Sequence, residues 1–204
     1  MPKLIAWDFD GVLNRGFDGG FLRWQRTFRA DLGVSAEQFT DFMFKAGRFE
    51  NVLIGKRDVL DLLGQWIRES RLMIKPRQVL DYWLAKDARV DAQVLGWLRA
   101  CKQRSVIATN NEAHRAGYVM NQMGFAADVE RIFASGVLGV RKPDPRFFAH
   151  IEDWSGLSGA EIMLIDDAEA NITAATARGW QVFLFTDATR NKLPEVLGVT
   201  PLQR

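Results

Sequence analysis

Five short apolar runs punctuate the chain: Leu4–Trp7, Ser105–Ala108, Arg131–Ala134, Ile162–Ile165 and Gln181–Phe185. None alternates strictly between apolar and polar residues, so each reads as a strand covered on both faces, as in parallel sheets. Helical spacing separates the last four. Between Asp91 and Arg104 the residues Val94, Leu95, Leu98 and Cys101 recur on one apolar helical face, and Glu112–Met123 and Pro145–Trp154 behave alike. Ala168–Arg178 is alanine-rich and stops at Gly179, a C-cap signal. The alternation predicts an α/β fold: a Rossmann-like open parallel five-stranded sheet with helices on both faces.

One stretch breaks this rhythm. About ninety residues between the first and second runs contain no convincing strand. Helical patterns near 21–32, 36–46, 57–70 and 76–86 fill it, with Gly16 and Gly19-Gly20 as a flexible lead-in and Ala85–Val90 as the exit. The expected division is therefore an α/β core of 1–14 and 88–204 with an inserted all-helical cap at 15–87. The insert holds 11 of the 23 aromatic residues, enough for a small core of its own. Thr189–Arg204 reads as a terminal helix and tail.

Composition narrows the classes. With 48% hydrophobic residues the chain has the material for a core, which argues against disorder. Lys plus Arg is 27 against 25 Asp plus Glu, so no dense basic field is available for nucleic acid or a membrane surface. The single cysteine, Cys101, makes neither an internal disulfide nor a CxxC metal site. The first residues reach an acid at Asp8, unlike a secretory leader, and no run approaches the ~18 apolar residues of a membrane span. The expectation is a soluble, cytoplasmic protein, monomeric by default with a homodimer possible.

Ligands of open α/β sheets collect outside the C-terminal ends of the strands. There the sequence places Asp8-Phe9-Asp10-Gly11, then Thr109-Asn110-Asn111, then Arg141-Lys142-Pro143-Asp144, then Asp166-Asp167. Several carboxylates and one lysine on one sheet edge leave a deficit of positive charge. All the donors are oxygens, so Mg²⁺ is expected rather than Zn²⁺. Such a pocket suits a phosphoryl dianion held by Thr109 and by backbone amides around Phe9–Gly11 and Asn110. Asp8 is placed to act as a nucleophile and Asp10 to move a proton to and from the leaving oxygen and water. Gly11 lets the backbone turn close to the phosphate.

In order and content, DFDGVL, ATNN, RKPDP and LIDD resemble the haloacid dehalogenase-like (HAD) hydrolase superfamily, most closely its subgroup with a small helical cap after the first strand. The resemblance implies Asp8 as nucleophile, Asp10 as acid/base and as a backbone-carbonyl ligand of Mg²⁺, and Thr109 and Lys142 as the remaining core groups. It implies Asp166 as a metal ligand, with Asp167 either in the metal site or paired with Lys142. The expected metal set is Asp8, Asp10, Asp166 and Asp167, and the expected phosphate contacts are Gly11, Thr109, Asn110 and Lys142. Response-regulator receivers share this chemistry but place their acid pair after the first strand, so that reading fails.

Within the family, a carboxylate at Asp10 together with Asp166 favours phosphorus over carbon as the centre attacked. The expected activity is a Mg²⁺-dependent phosphatase for small phosphorylated metabolites such as sugar phosphates or nucleotides. A sugar-phosphate mutase is disfavoured because the insert has no histidine. A phosphonatase would need an imine-forming lysine from Lys45, Lys56 or Lys75, each better read as solvated. A non-catalytic phosphate-binding module would have lost Asp8, Asp10, Lys142 or Asp166, and all are present. Gly55-Lys56-Arg57, with Arg48 and Phe49, are candidates for pocket contacts, although Lys56 and Arg57 read more simply as an exposed helix start. His114 and His150 are assigned surface or packing roles.

Overall fold

The computed structural model of the chain describes residues 1–18 and 21–199. Strand β1 (Leu4–Trp7) leads to a two-residue pair, β2 (Phe17–Asp18) and β3 (Phe21–Leu22). Helices α1 (Arg23–Leu32), α2 (Ala36–Phe44), α3 (Glu50–Leu53), α4 (Val59–Glu69) and α5 (Pro76–Asp87) follow, then α6 (Ala92–Ala100) and β4 (Arg104–Thr109). The rest runs α7 (Ala113–Asn121), β5 (Arg131–Ala134), α8 (Ser135–Leu138), α9 (Pro145–Ser155), β6 (Ile162–Asp166), α10 (Glu169–Ala177), β7 (Gln181–Leu184) and α11 (Leu193–Leu197).

The main sheet has the order β5-β4-β1-β6-β7, and every neighbouring pair is parallel. Its strands are continuous apolar runs because both faces are covered. Leu4 and Ala6 pack into one apolar cluster with Val106, Phe147 and Leu164, while Ile5 and Trp7 pack into another with Trp97, Ile107 and Ile165. The two-residue period of a strand thus sorts one hydrophobic run onto two helix layers.

A third apolar cluster lies within the helices from α1 to α5. Trp24, Phe28, Phe39, Leu62, Trp66 and Trp83 are buried there. In α4, Val59, Leu62, Leu63, Trp66 and Ile67 recur at helical spacing, and Asp58 caps the start by accepting from the Leu60 amide at 2.7 Å.

The expected elements differ from the observed ones at their edges. The stretch before α1 is not free of strand, since β2 and β3 pair antiparallel; two-residue strands carry no readable periodicity. Gly19-Gly20 and the end of the tail, 200–204, lie outside the described residues. Gly16 is packed: a Cβ there would come within 2.5 Å of Asp87 Oδ1. Helices α3 and α8 are single turns that no periodic pattern announces. The expected 91–104 helix ends at Ala100, and Cys101 is extended, half-buried and packed against the core. A helix continued to Arg104 would consume the connection into β4, whose first residue pairs with Leu4.

Candidate active site

Strand register brings the chemical groups together. Trp7 pairs with Ile107 on one side and Ile165 on the other. Asp8 therefore leaves β1 beside Thr109, two residues past Ile107, and Asp166, one residue past Ile165. The order of the sheet reverses at β1, which opens the crevice where open α/β sheets bind ligands.

Lys142 is the hub. It is 2% exposed, and its ammonium donates to Asp166 Oδ2 at 2.6 Å and to the Ala108 carbonyl at 2.6 Å, and pairs with Asp8 Oδ1 at 3.1 Å. Three acceptors use all three of its protons. Its loop is fixed by Asn110, whose side chain donates to the Lys142 carbonyl and accepts from the Lys142 amide, both at 2.9 Å. Asp166 is held from the other side by Asn171, at 3.0 and 3.1 Å, and accepts from the Ala168 amide at 2.9 Å.

Oxygens of Asp8, Asp166 and Asp167 all lie within 4.8 Å of one another. Burial pushes Asp8 well above the usual carboxylate range; Asp166 and Asp10 add to this and Lys142 pulls against it. Asp167 is raised by burial and by Asp166. Lys142 is raised because Asp8 and Asp166 outweigh the burial that works against its charge. One lysine thus does not balance the acids around it. Asp167 makes no ion pair with Lys142 among the described contacts; that place is taken by Asp166.

Asp10 points to a different set of partners. Its Oδ1 accepts from Arg115 at 2.7 Å and Asn14 at 3.1 Å, and its Oδ2 from Asn111 at 3.0 Å. Arg115 also pairs with Asp87, at the end of α5. Asn111 in turn donates to Thr109 Oγ1 at 2.6 Å, and Thr109 is buried at the end of β4.

Gly11 has φ +86°, and a Cβ there would lie 2.1 Å from Asp167 Oδ2. Both the turn and the approach of that carboxylate require glycine. Its amide donates to the Asn14 carbonyl at 2.9 Å, and the Phe9 amide donates to Asp8 Oδ1 at 2.7 Å. Of the Phe9–Gly11 amides expected to hold a phosphate, these two are engaged within the turn.

Sequence reasoning did not assign Arg115, Asn14, Asp87, Asn111 or Asn171. Asn111 sits in the strand-end triplet and Asn171 five residues beyond Asp166, so both were within reach of the pattern. Arg115 and Asp87 carry no local signal, because they meet only when α5 packs beside α7.

A cavity of about 220 Å³ opens next to Asp10, Gly11 and Asn110, and Phe49, Leu53, Leu80, Trp83 and Leu84 form its apolar wall. Of the other residues considered for this pocket, Arg48 donates to the Phe42 carbonyl, Lys56 is exposed and Arg57 bonds Gln65. Gly55 packs on the Gly136 backbone, where a Cβ would meet the carbonyl at 2.2 Å. His114 bonds Asp58 at 3.0 Å and so links α7 to the start of α4. No helix among the described residues is long and apolar enough to cross a membrane.

Residues 2–179 match the family model described as haloacid dehalogenase-like hydrolase. The sesquiterpene phosphatase astK of Aspergillus oryzae is 34% identical over 116 residues, 54% of this chain and 59% of that protein. This chain therefore matches less than two thirds of that relative. The GMP/IMP nucleotidase YrfG of Escherichia coli is 26% identical over 198 residues, 86% of this chain and 82% of that one. A HAD family enzyme from Bacteroides thetaiotaomicron, crystallised with magnesium and inorganic phosphate, superposes with a TM-score of 0.74 at 18% identity, covering 91% of this chain and 95% of that one.

Proposed function

The chain belongs to the haloacid dehalogenase-like hydrolases, and from that premise we propose that it is a Mg²⁺-dependent phosphomonoester phosphatase working through an aspartyl-phosphate on Asp8. The observation that carries this reading is the meeting of Asp8, Lys142, Asp166 and Asp167 at one sheet edge, with Asp10 alongside.

The donor set fits a hard divalent cation. It consists of oxygens, its carboxylate atoms lie within 4.8 Å of one another, and the buried acids exceed the one lysine among them. Asp8, Asp166 and Asp167, with the Asp10 carbonyl, are the groups that would hold Mg²⁺. Bound there, the ion would offset the charge of the phosphoryl group and of the acids.

The chain's own residues supply the rest. Lys142 holds the Asp8 carboxylate by its Oδ1. The free oxygen of Asp8 bonds to phosphorus as the ester P–O bond breaks, and Asp10 gives its proton to the departing alcohol oxygen. Asp10 then takes a proton from the water that attacks phosphorus, releasing phosphate and restoring Asp8. Thr109 and the backbone at Asn110 face the phosphoryl oxygens. Gly11 keeps the turn tight, and the 15–87 segment serves as the cap that closes over the leaving group.

A carboxylate at Asp10 supports ester hydrolysis over dehalogenation, in which a departing halide needs no proton. The absence of histidine from 15–87 counts against a sugar-phosphate mutase. The relatives act, by their names, on unlike alcohols, so they do not choose the substrate. The test is phosphate release from an aryl phosphate with and without Mg²⁺, in the native chain and in Asp8→Asn. Turnover is expected to require the metal and to fall by about three orders of magnitude or more in the variant. Equal activity in Asp8→Asn would overturn the assignment.

A further inference from the structure

We propose that the leaving group is an uncharged hydrocarbon alcohol, so that the substrates are alkyl or aryl phosphate monoesters rather than sugar phosphates or nucleotides. This rests on the phosphatase reading and deepens it. The cavity beside Asp10 is where the departing alcohol must lie, because Asp10 is the group that protonates it. Five of the residues lining it, Phe49, Leu53, Leu80, Trp83 and Leu84, are apolar, and they come from α3, α5 and the turn before α3.

Most polar groups on the opposite wall are engaged with one another; Asp87 Oδ1 and Arg115 Nε have no hydrogen-bond partner but are buried beneath the surface of the wall. Asn110 spends its amide on the backbone of Lys142. Both Glu112 oxygens accept amides of α7, from His114 and Arg115 at 2.6 Å each. Arg115 spends its two terminal nitrogens on Asp10 and Asp87. Among the described residues, Arg115 is the one cationic side chain lining the cavity, and its two terminal nitrogens are already taken. A sugar or a nucleoside would bring several hydroxyl, N–H and carbonyl groups against the apolar side, where they exchange hydrogen bonds to water for none. A hydrocarbon loses nothing there and gains by leaving water. Size agrees: an apolar cavity of about 150 Å³ takes a benzene ring, and this one is about 220 Å³.

The experiment measures phosphate release, with Mg²⁺ in excess, from ethyl, butyl, hexyl and phenyl phosphate, glucose 6-phosphate and guanosine 5′-monophosphate. kcat/KM is expected to rise about three- to fourfold per added methylene until the cavity is full. Hexyl and phenyl phosphate are expected to exceed both polar esters by about tenfold or more. Leu53→Trp, which fills the cavity from a half-buried position, should lower the hexyl-to-ethyl ratio by about tenfold. Phe49→Ala, which enlarges the cavity, should move the optimum to longer chains. A preference for glucose 6-phosphate or the nucleotide, or a flat response to chain length, overturns this inference and leaves the phosphatase reading standing. Absence of turnover on every ester overturns both.

Discussion

Arg115 ties the proton-transfer carboxylate of the proposed mechanism to the helical segment. One guanidinium bridges Asp10, in the turn after β1, and Asp87, at the end of α5. Burial raises Asp87, with Arg115 pulling the other way, while the two carboxylates overcome burial to raise Arg115. A planar fork spans two acids in a way that an ammonium does not. Arg115→Lys is therefore expected to lower kcat by about ten- to a hundredfold through a misplaced Asp10. KM should stay within about twofold, because the apolar wall of the cavity, formed by Phe49, Leu53, Leu80, Trp83 and Leu84, is untouched. An equal loss in KM with kcat preserved would show that Arg115 binds substrate and does not position Asp10. Asp8, Asp10 and Asp166 stood out in the sequence because they recur with Thr109 and Lys142 at successive strand ends, although each alone reads equally well as a structural acid. Arg115 did not, since an arginine on a helix face looks the same whether it meets solvent or a buried acid.

At the scale of elements, Asp91 shows how one helix start joins distant parts of the chain. It caps α6 by accepting from the Gln93 and Val94 amides at 3.1 Å, and it pairs with Arg190 at 2.6 Å and Arg15 at 2.8 Å. Burial alone would raise Asp91, but the hydrogen bonds from Arg190 and Val94 outweigh it and hold the carboxyl below its ordinary range. A carboxyl lowered in the folded state stabilises the fold above its unfolded pKa, about 3.9, and that contribution disappears as pH falls through the lower folded value. Asp91→Asn is thus expected to flatten the loss of stability below about pH 4, followed by urea unfolding at stepped pH. An acid limb identical to that of the native chain would show that Asp91 contributes nothing there. The cap itself was readable from Asp-x-x before an apolar helix. Its arginines were not, because one lies 76 residues before it and the other 99 residues after.

Across the whole molecule the apolar residues separate into sheet layers and a cluster within the 23–87 helices. Phe39 is fully buried in that cluster, with its ring 4.9–5.6 Å from those of Phe28, Trp66, Trp24 and Trp83. Phe39→Ala is expected to cost about 3–5 kcal/mol, read from urea unfolding. A cost below about 1 kcal/mol would mean that the helices collapse around the gap or that their cluster contributes little. A helical stretch between the first two strands of the sheet was expected because a strand–helix rhythm stops and restarts, and helices α1 to α5 lie there. What the segment does to the site was not legible, since its contribution to the cavity comes from Phe49, Leu53 and one face of α5.

By itself the sequence determined the parallel sheet, the placement of helices on its two faces and the acids at its strand ends. These follow from local periodicity and from chemistry confined to a few adjacent residues. Only the tertiary structure decided which acid takes the lysine, which amides are already engaged, and that the space beside Asp10 has hydrocarbon along one wall. Those outcomes depend on distances between segments far apart along the chain, and no local pattern encodes a distance.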